Sequence, residues 1–172
     1  MGTMPRQLCY AARTGHTRGG SEMKAKLVAV ASVLSILSAS AVAIAAEPKD
    51  AVEYRQAVMA SLGGHAGAIS RIVKQQVDYD HIAQHAEAIA ATAPLVEDIW
   101  PDNSKPGDYE KTDALAKIWD EPDAFQEKVD KLKVEAEDFL AVAKGGDQGE
   151  VIAAFKELGQ SCGGCHDDYR AE

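Results

Sequence analysis

The chain has 172 residues, of which 46% are apolar and 26% charged, values that are ordinary for a soluble globular protein. Aromatic residues make up only 6% and alanine is abundant, which favours helices over a β-sandwich. Acidic residues outnumber basic ones by 27 to 18, and the resulting net charge of −9 argues against nucleic-acid binding, which requires clustered Lys and Arg. Three cysteines are too few for a disulfide-stabilised scaffold.

Residues 23–45 have the three parts of a secretory signal peptide. Lys24 and Lys26 form a positive start, an apolar stretch follows, and the small residues Ala43 and Ala45 mark a cleavage site. An uncleaved membrane anchor is the alternative, but the Ala/Ser-rich segment ends in stacked small residues, which favours cleavage. We therefore expect a periplasmic protein that has no membrane attachment after cleavage.

The segment before the signal, residues 1–22, shows no apolar periodicity, and we interpret it as an over-extended gene start or a disordered extension rather than a functional arm. The remaining domain, residues 46–172, carries 26 acidic and 13 basic side chains, a net charge of −13. Its two cysteines, Cys162 and Cys165, enter an oxidising compartment, where a free pair tends to form a disulfide.

The first half of this domain predicts two amphipathic helices, because its apolar residues recur at spacings of three and four. The first helix covers 48–76, and Gly63-Gly64 is expected to interrupt or bend it. The second covers about 78–98, and Pro94 should kink or end it. A long connection rich in Pro, Gly, Asp and Asn follows over 100–121.

The second half predicts two more helices. One begins at Pro122, which suits a first helical turn, and is stopped by Gly145-Gly146. The other begins at Asp147, which forms a capping-box pattern with Glu150. Since no segment alternates as a strand would, the sequence predicts an all-α protein, an antiparallel four-helix bundle.

The fourth helix contains Cys162-Gly163-Gly164-Cys165-His166, the C-x-x-C-H signature of covalent c-type haem attachment. On a helix, residues three and four apart face the same way, so both sulfurs and the imidazole approach one face. The thiols can add to the two haem vinyl groups while the imidazole binds the iron, and the two glycines leave room for the macrocycle. The sequence thus predicts one covalent haem c per chain.

Two other interpretations of the cysteine pair remain open. A redox dithiol is one, although such motifs accompany a βαβ pattern that is absent here. A zinc site is the other, because His81 and His85 lie four residues apart on the second helix and could join Cys162 and Cys165 as ligands. These histidines lie one position off the inner row of the second helix, which consists of Ile82, Ala86, Ile89, Ala93 and Val96, so they are more consistent with a position facing solvent or a helix seam. His65 of the first helix is also interpreted as a residue of a helix seam.

Two residues of the first helix are candidates for the other side of the haem. Arg55 occupies the inner stripe, where an unpaired charge would be costly, so a haem propionate is a suitable partner. Without a haem, the same arginine would extend its charged end to solvent. Met59 lies one turn later and either packs over the open iron face or ligates it.

Further features accompany the C-x-x-C-H string: Tyr-Arg-Gln-Ala-Val-Met at 54–59, Ile118-Trp119 after the long connection, and Asp-Asp-Tyr-Arg at 167–170. With these features, residues 46–172 resemble cytochrome c', the class II c-type cytochromes. The C-terminal position of C-x-x-C-H, with Tyr-Arg-Gln upstream, is what distinguishes this class. The resemblance implies a four-helix bundle with its covalent haem near the C-terminal helix.

The resemblance also implies roles for individual residues. Cys162 and Cys165 would form the thioethers, His166 would be the axial iron ligand, and Met59 would match the distal position over the iron. The family norm is a five-coordinate, high-spin iron that binds nitric oxide or carbon monoxide. Some relatives instead have a low-spin iron with a methionine from the first helix as sixth ligand, and a distal Met59 keeps that alternative open.

Four more positions follow from the same resemblance. Arg55 and Gln56 would contact the haem edge and propionates, and Thr112 and Asp113 match loop positions that approach the haem. We expect a gas-binding or electron-transferring protein rather than an enzyme, since no acid/base pair is recognisable on the distal side. Because the domain is acidic, its redox partners would be basic proteins. The resemblance also implies a homodimer.

Overall fold

The structure is a computed structural model that describes residues 46–78 and 80–172. The extension and signal peptide expected over 1–22 and 23–45 lie outside these residues. The described part is helical, with a single isolated β-bridge, and its main helices form the predicted four-helix bundle. The helices are α1 (Pro48–Val73), α2 (Ile82–Thr92), the short α3 (Lys117–Asp120), α4 (Pro122–Gly145) and α5 (Gln148–Tyr169). None of the helices within 46–78 and 80–172 is long and apolar enough to span a bilayer.

Helix α1 continues through Gly63 and Gly64 without a break, so the expected interruption is wrong. Each glycine weakens a helix by about 1 kcal/mol. Val58 and Ile69, on either side of the two glycines, are buried in the core, and their packing offsets this loss of helix stability. Tertiary packing outweighs propensity here.

Helix α2 is shorter than predicted. It begins at Ile82 rather than near 78, and it ends at Thr92, two residues before Pro94. A 3₁₀ turn over Ala93–Glu97 follows and keeps Ala93 and Val96 buried. Pro94 therefore ends the α-helix, as its missing N–H requires, without exposing the inner row.

Helices α4 and α5 begin and end close to the predicted positions. Pro122 is the first residue of α4, and α5 starts with the predicted capping box. The Asp147 carboxylate accepts from the Glu150 backbone N–H at 2.9 Å, and the Glu150 carboxylate accepts from the Asp147 N–H at 2.9 Å. Two otherwise unsatisfied backbone donors of the helix start are thereby paired.

Replacing Asp147 with alanine is expected to lower the free energy of unfolding by about 1 kcal/mol, because the Glu150 backbone N–H loses its acceptor at the helix start. Urea denaturation followed by circular dichroism measures the change. The variant Asp147→Asn, which retains a capping oxygen, should lose much less. Equal losses for the two variants would contradict a capping role.

The hydrophobic core consists of two clusters of buried side chains, both formed by the inward-facing sides of the helices. One joins α1, α2, α4 and α5, and its largest buried side chains are Ile69, Ile89, Phe139 and Leu158. The other lies beside the connection between α2 and α4 and contains Val58, Val96, Ile99, Ile118, Phe125, Val129 and Tyr169. The second cluster supports the candidate site.

The connection after α2 is more ordered than the sequence indicated. It contains a 3₁₀ turn over Asp102–Ser104 and the short helix α3. Its middle is hydrogen-bonded to the end of α5: the Leu115 N–H donates to the Tyr169 carbonyl at 2.9 Å, and the Ala171 N–H donates to the Asp113 carbonyl at 2.7 Å. These bonds hold the loop beside the last turn of α5.

Candidate haem site

Two adjoining cavities, of about 390 and about 200 Å³, are lined by α1, α5 and the elements between them. Both are lined by Met59, Gly63, Val96, Cys165 and His166, so they are compartments of one space. Pockets that hold cofactors typically measure about 300–1,000 Å³. The larger compartment continues to the loop residues beside α5, and the smaller one extends into the bundle interior.

The C-x-x-C-H residues form the α5 wall of this space. Cys165 and His166 line both compartments, and Cys162 lines the smaller one. The two thiols are partly buried and are not joined in a disulfide. Burial raises the pKa of both thiols, so they are protonated at neutral pH. A redox dithiol depends on a lowered thiol pKa, so this environment does not favour that interpretation.

The imidazole of His166 is in the state that binds a metal. Partial burial lowers its pKa, and the positive charge of Arg170 lowers it further. His166 is therefore neutral at neutral pH, with a ring nitrogen lone pair available to iron. The arrangement of two thiols and one neutral imidazole on a single helix face fits covalent haem.

Arg55 on α1 is the most deeply buried charged side chain of the site, with 3% of its surface exposed. One guanidinium nitrogen, Nη1, donates to the Ser104 hydroxyl at 3.0 Å. The other, Nη2, donates to the Thr112 hydroxyl at 2.8 Å and to the Ser104 carbonyl at 3.3 Å. The guanidinium also lies over the Trp100 ring, 4.7 Å from its centroid. Arg55 does not extend to solvent.

All of these Arg55 partners are neutral. Among the residues that the structure describes, none places a carboxylate in an ion pair with Arg55. Burial lowers the pKa of its guanidinium, yet the group keeps its proton. A buried cation without a counter-ion is unfavourable, and Arg55 lines the larger compartment. A carboxylate of a bound group, such as a haem propionate, would compensate this charge.

The remaining candidates from the resemblance also lie around the larger compartment: Gln56, Met59, Thr112 and Asp113. The Gln56 side-chain amide donates to the Lys111 carbonyl at 2.6 Å, which attaches the loop to α1. Met59 is the only α1 residue with a sulfur atom among those that line the two compartments. A Cβ added at the adjacent Gly63 would meet nothing within 4 Å, consistent with open space there.

Sequence reasoning missed three residues of the site. Ser104 is fully buried and binds Arg55, but it lies in an irregular segment whose sequence carries no periodic signal. Trp100 and Phe125 pack edge-to-face at 5.1 Å, and Phe125 packs in the same way on Tyr169 at 5.1 Å. No motif or spacing in the sequence marks these aromatic contacts, because they join segments that are distant along the chain.

The zinc hypothesis fails on geometry. Its two histidines, His81 and His85, line neither of the compartments that contain Cys162 and Cys165, and His85 instead faces α1, where its Nδ1 lies 2.9 Å from the Nδ1 of His65. Within the described part of the chain, no three His, Cys, Asp or Glu residues are grouped so as to hold a metal ion. The placement of His65 in a helix seam agrees with the prediction.

Comparison with known proteins gives a consistent result. The family model described as Cytochrome C' matches residues 50–170. A cytochrome c' from Halomonas halodenitrificans is 36% identical over 135 residues, which cover 74% of this chain and all of that protein. A cytochrome c-556 from Agrobacterium tumefaciens is 37% identical over 119 residues, 69% of this chain and 95% of its own.

Solved structures agree. The nitric oxide complex of a mutant cytochrome c prime from Alcaligenes xylosoxidans superposes with a TM-score of 0.66 at 31% identity, covering 74% of this chain and 98% of that one. The family match covers both the Arg55 helix and the C-x-x-C-H helix, the two walls of the cavity. The chain therefore belongs to the cytochrome c' family, whose members are covalent haem c proteins.

Proposed function

We propose that Cys162 and Cys165 carry the haem through thioether bonds and that His166 is its axial iron ligand. The supporting observation is that these three side chains, and no other thiol or imidazole in the described residues, line the two compartments. Arg55 and Thr112 would bind the propionate edge in the larger compartment, next to Gln56 and Asp113. When bound, the haem supplies an iron that accepts an electron or a small gas.

The protein is, in this proposal, a periplasmic haem protein that transfers electrons and binds small uncharged gases at a five-coordinate, high-spin iron. The α1 wall opposite the C-x-x-C-H face carries this proposal. Its residues in the smaller compartment are Met59, Leu62, Gly63 and Ala66, which provide no hydroxyl, amide or charge. Such a wall admits small apolar ligands and excludes those that need a hydrogen bond. The nitric oxide complexes of cytochrome c prime from Alcaligenes xylosoxidans support the same ligand class.

A second candidate function is electron transfer alone, at a low-spin iron with Met59 as sixth ligand. Its support is the position of Met59, which lines both compartments together with His166. A thioether is an established axial ligand in c-type cytochromes. Visible spectra of the ferric and ferrous protein, with and without carbon monoxide, separate the two functions. A low-spin spectrum that carbon monoxide does not change would overturn the gas-binding proposal.

Replacing Met59 with leucine should leave the spin state unchanged and preserve carbon monoxide binding, because leucine fills a similar volume without a ligating atom. Absorption spectra of both oxidation states provide the measurement. Conversion from a low-spin to a high-spin spectrum would instead identify Met59 as the sixth ligand. Leu62→Ala, one turn further on the same wall, serves as the control for a general change in packing, because it neither adds nor removes a ligating atom.

Two partner classes are part of the proposal. The net charge of −13 over residues 46–172 favours a basic redox partner, so the association rate should fall as ionic strength rises. A second copy of the chain in a homodimer is the other class, as in many members of the cytochrome c' family, and Tyr54 of α1, which is 55% exposed, is a surface position at which it can be tested. Light scattering of the wild type and of Tyr54→Glu tests the dimer, since a charge at this position should favour the monomer.

A further inference from the structure

We propose that His65 of α1 and His85 of α2 form a binding site for one divalent transition-metal ion of the Cu²⁺ and Ni²⁺ class. The two Nδ1 atoms lie 2.9 Å apart, and the ring centroids are 5.2 Å apart with planes inclined by 51°. Neither histidine lines the haem compartments. The site is therefore separate from the iron and independent of the function proposed above.

The chemistry of the two ligands, imidazole nitrogens with the remaining coordination positions open to water, indicates the kind of ion. With metal–nitrogen bonds of roughly 2.0–2.1 Å, two imidazoles at about 90° have nitrogens about 2.9 Å apart, and at a tetrahedral angle about 3.4 Å apart. The observed distance of 2.9 Å is that of a hydrogen bond between the rings, and it leaves both nitrogens close enough to be bound by one ion. Tetragonal and square-planar coordination is typical of Cu²⁺ and Ni²⁺, and Cu²⁺ binds most tightly at nitrogen ligands among the divalent first-row metals.

The helix packing holds this pair in place. Ile69 and Ile89, each one turn beyond a histidine of the pair, are buried in the same core cluster of α1 and α2. The distance between the imidazoles is thus set by two packed helices rather than by a mobile loop. Both histidines are only partly buried, so water can reach the ion and complete its coordination. A preformed pair of ligands lowers the entropic cost of binding.

The protonation state of His85 also suits a metal. One ring Nδ1–H now donates to the Nδ1 of the other ring; a metal ion bound to both Nδ1 atoms would require the donor ring to carry its proton on Nε2 instead, a change of tautomer through solvent with no net loss of a proton from two neutral imidazoles. Burial lowers the pKa of His85, and His65 and His81 lower it further. The neutral imidazole that metals bind is therefore favoured at neutral pH.

A site formed by His81 and His85, both on α2, is the competing arrangement. His81 lies four residues before His85, a spacing at which two histidines of one helix can chelate a metal. His81, however, is the N-cap residue of α2, outside the regular helix. Since no group of three such ligands forms within 46–78 and 80–172, the site has two protein ligands, and His65 and His85 are the pair in contact.

The test is a Cu²⁺ titration of the ferric holoprotein by calorimetry, with electron paramagnetic resonance of the bound Cu²⁺. The wild type should bind one Cu²⁺ per chain with hyperfine coupling to nitrogen. His65→Gln and His85→Gln should each weaken binding by at least about tenfold, whereas the matched control His81→Gln should retain it. The haem absorption spectrum and the helical circular dichroism should be the same in all four proteins.

Two outcomes would overturn the proposal. If His65→Gln retains tight binding while His81→Gln loses it, the ion is held by the His81–His85 pair of α2 alone. If the wild type binds Cu²⁺ no more tightly than the double variant His65→Gln/His85→Gln, the pair is only a hydrogen bond between helices. Neither result depends on the iron ligation of the haem, so the proposed function is tested separately.

Discussion

Replacing Cys162 and Cys165 together with serine is expected to abolish covalent haem attachment. A hydroxyl does not add to a vinyl group as a thiol does, and both attachment points on α5 would be lost. The intact mass of the exported protein should equal that of the polypeptide alone, whereas the wild type should carry the added mass of one haem. Loss of a group that binds only the native state should also lower the unfolding midpoint.

The matched control for this variant is Ser161→Ala. Ser161 precedes Cys162, is buried, and donates to the Leu158 carbonyl at 2.9 Å. Removing its hydroxyl costs about 1 kcal/mol in stability but should leave the haem attached. Covalent haem on the double serine variant, or a wild-type mass without a haem, would refute the assignment of these two cysteines.

Replacing Arg55 with methionine is expected to lower the stability of the holoprotein by about 3–5 kcal/mol, because a buried charge loses its partner. The charge left without a partner is the propionate proposed for the larger compartment, and Ser104 and Thr112 lose the hydrogen bonds that Arg55 donates to them. Urea denaturation of the ferric protein measures the effect. The exposed Arg71→Met on the same helix is the control and should change stability by less than about 0.5 kcal/mol.

The reduction potential provides a second measurement that distinguishes charge from packing. Removing a cation near the haem favours the more positive ferric iron, so Arg55→Met should lower the potential by roughly tens of millivolts. Arg55→Lys keeps the charge and should lower it less, even if its packing is imperfect. Equal potentials for the wild type and Arg55→Met would show that Arg55 serves only Ser104 and Thr112.

The sequence was sufficient for those parts of the fold that depend on local patterns. The start of α4 at Pro122, its end at Gly145 and the capping box at Asp147 all follow from spacing and residue type. The position of Cys162, Cys165 and His166 on the α5 side of the cavity follows from the C-x-x-C-H spacing, which brings the three side chains to one face of a helix. The family and the four-helix bundle were likewise identified correctly.

The parts that sequence reasoning missed depend on contacts between distant segments. Ser104 and Trp100 surround Arg55 only because an irregular connection folds back onto α1, and no periodicity marks such a contact. The interruption expected at Gly63-Gly64 did not occur, because core packing on both sides outweighs local preference. The pairing of His65 with His85 similarly depends on how α1 and α2 meet.

The two walls of the cavity come from segments that are far apart in the sequence. Met59 on α1 and Cys165 on α5 are separated by roughly 100 residues, and the loop between them is fastened to the last turn of α5. The thiols therefore meet a shaped cleft only when the whole bundle has come together. A porphyrin bound to α5 alone would therefore be open to solvent, and packing of α1 and of the loop against α5 is what encloses it.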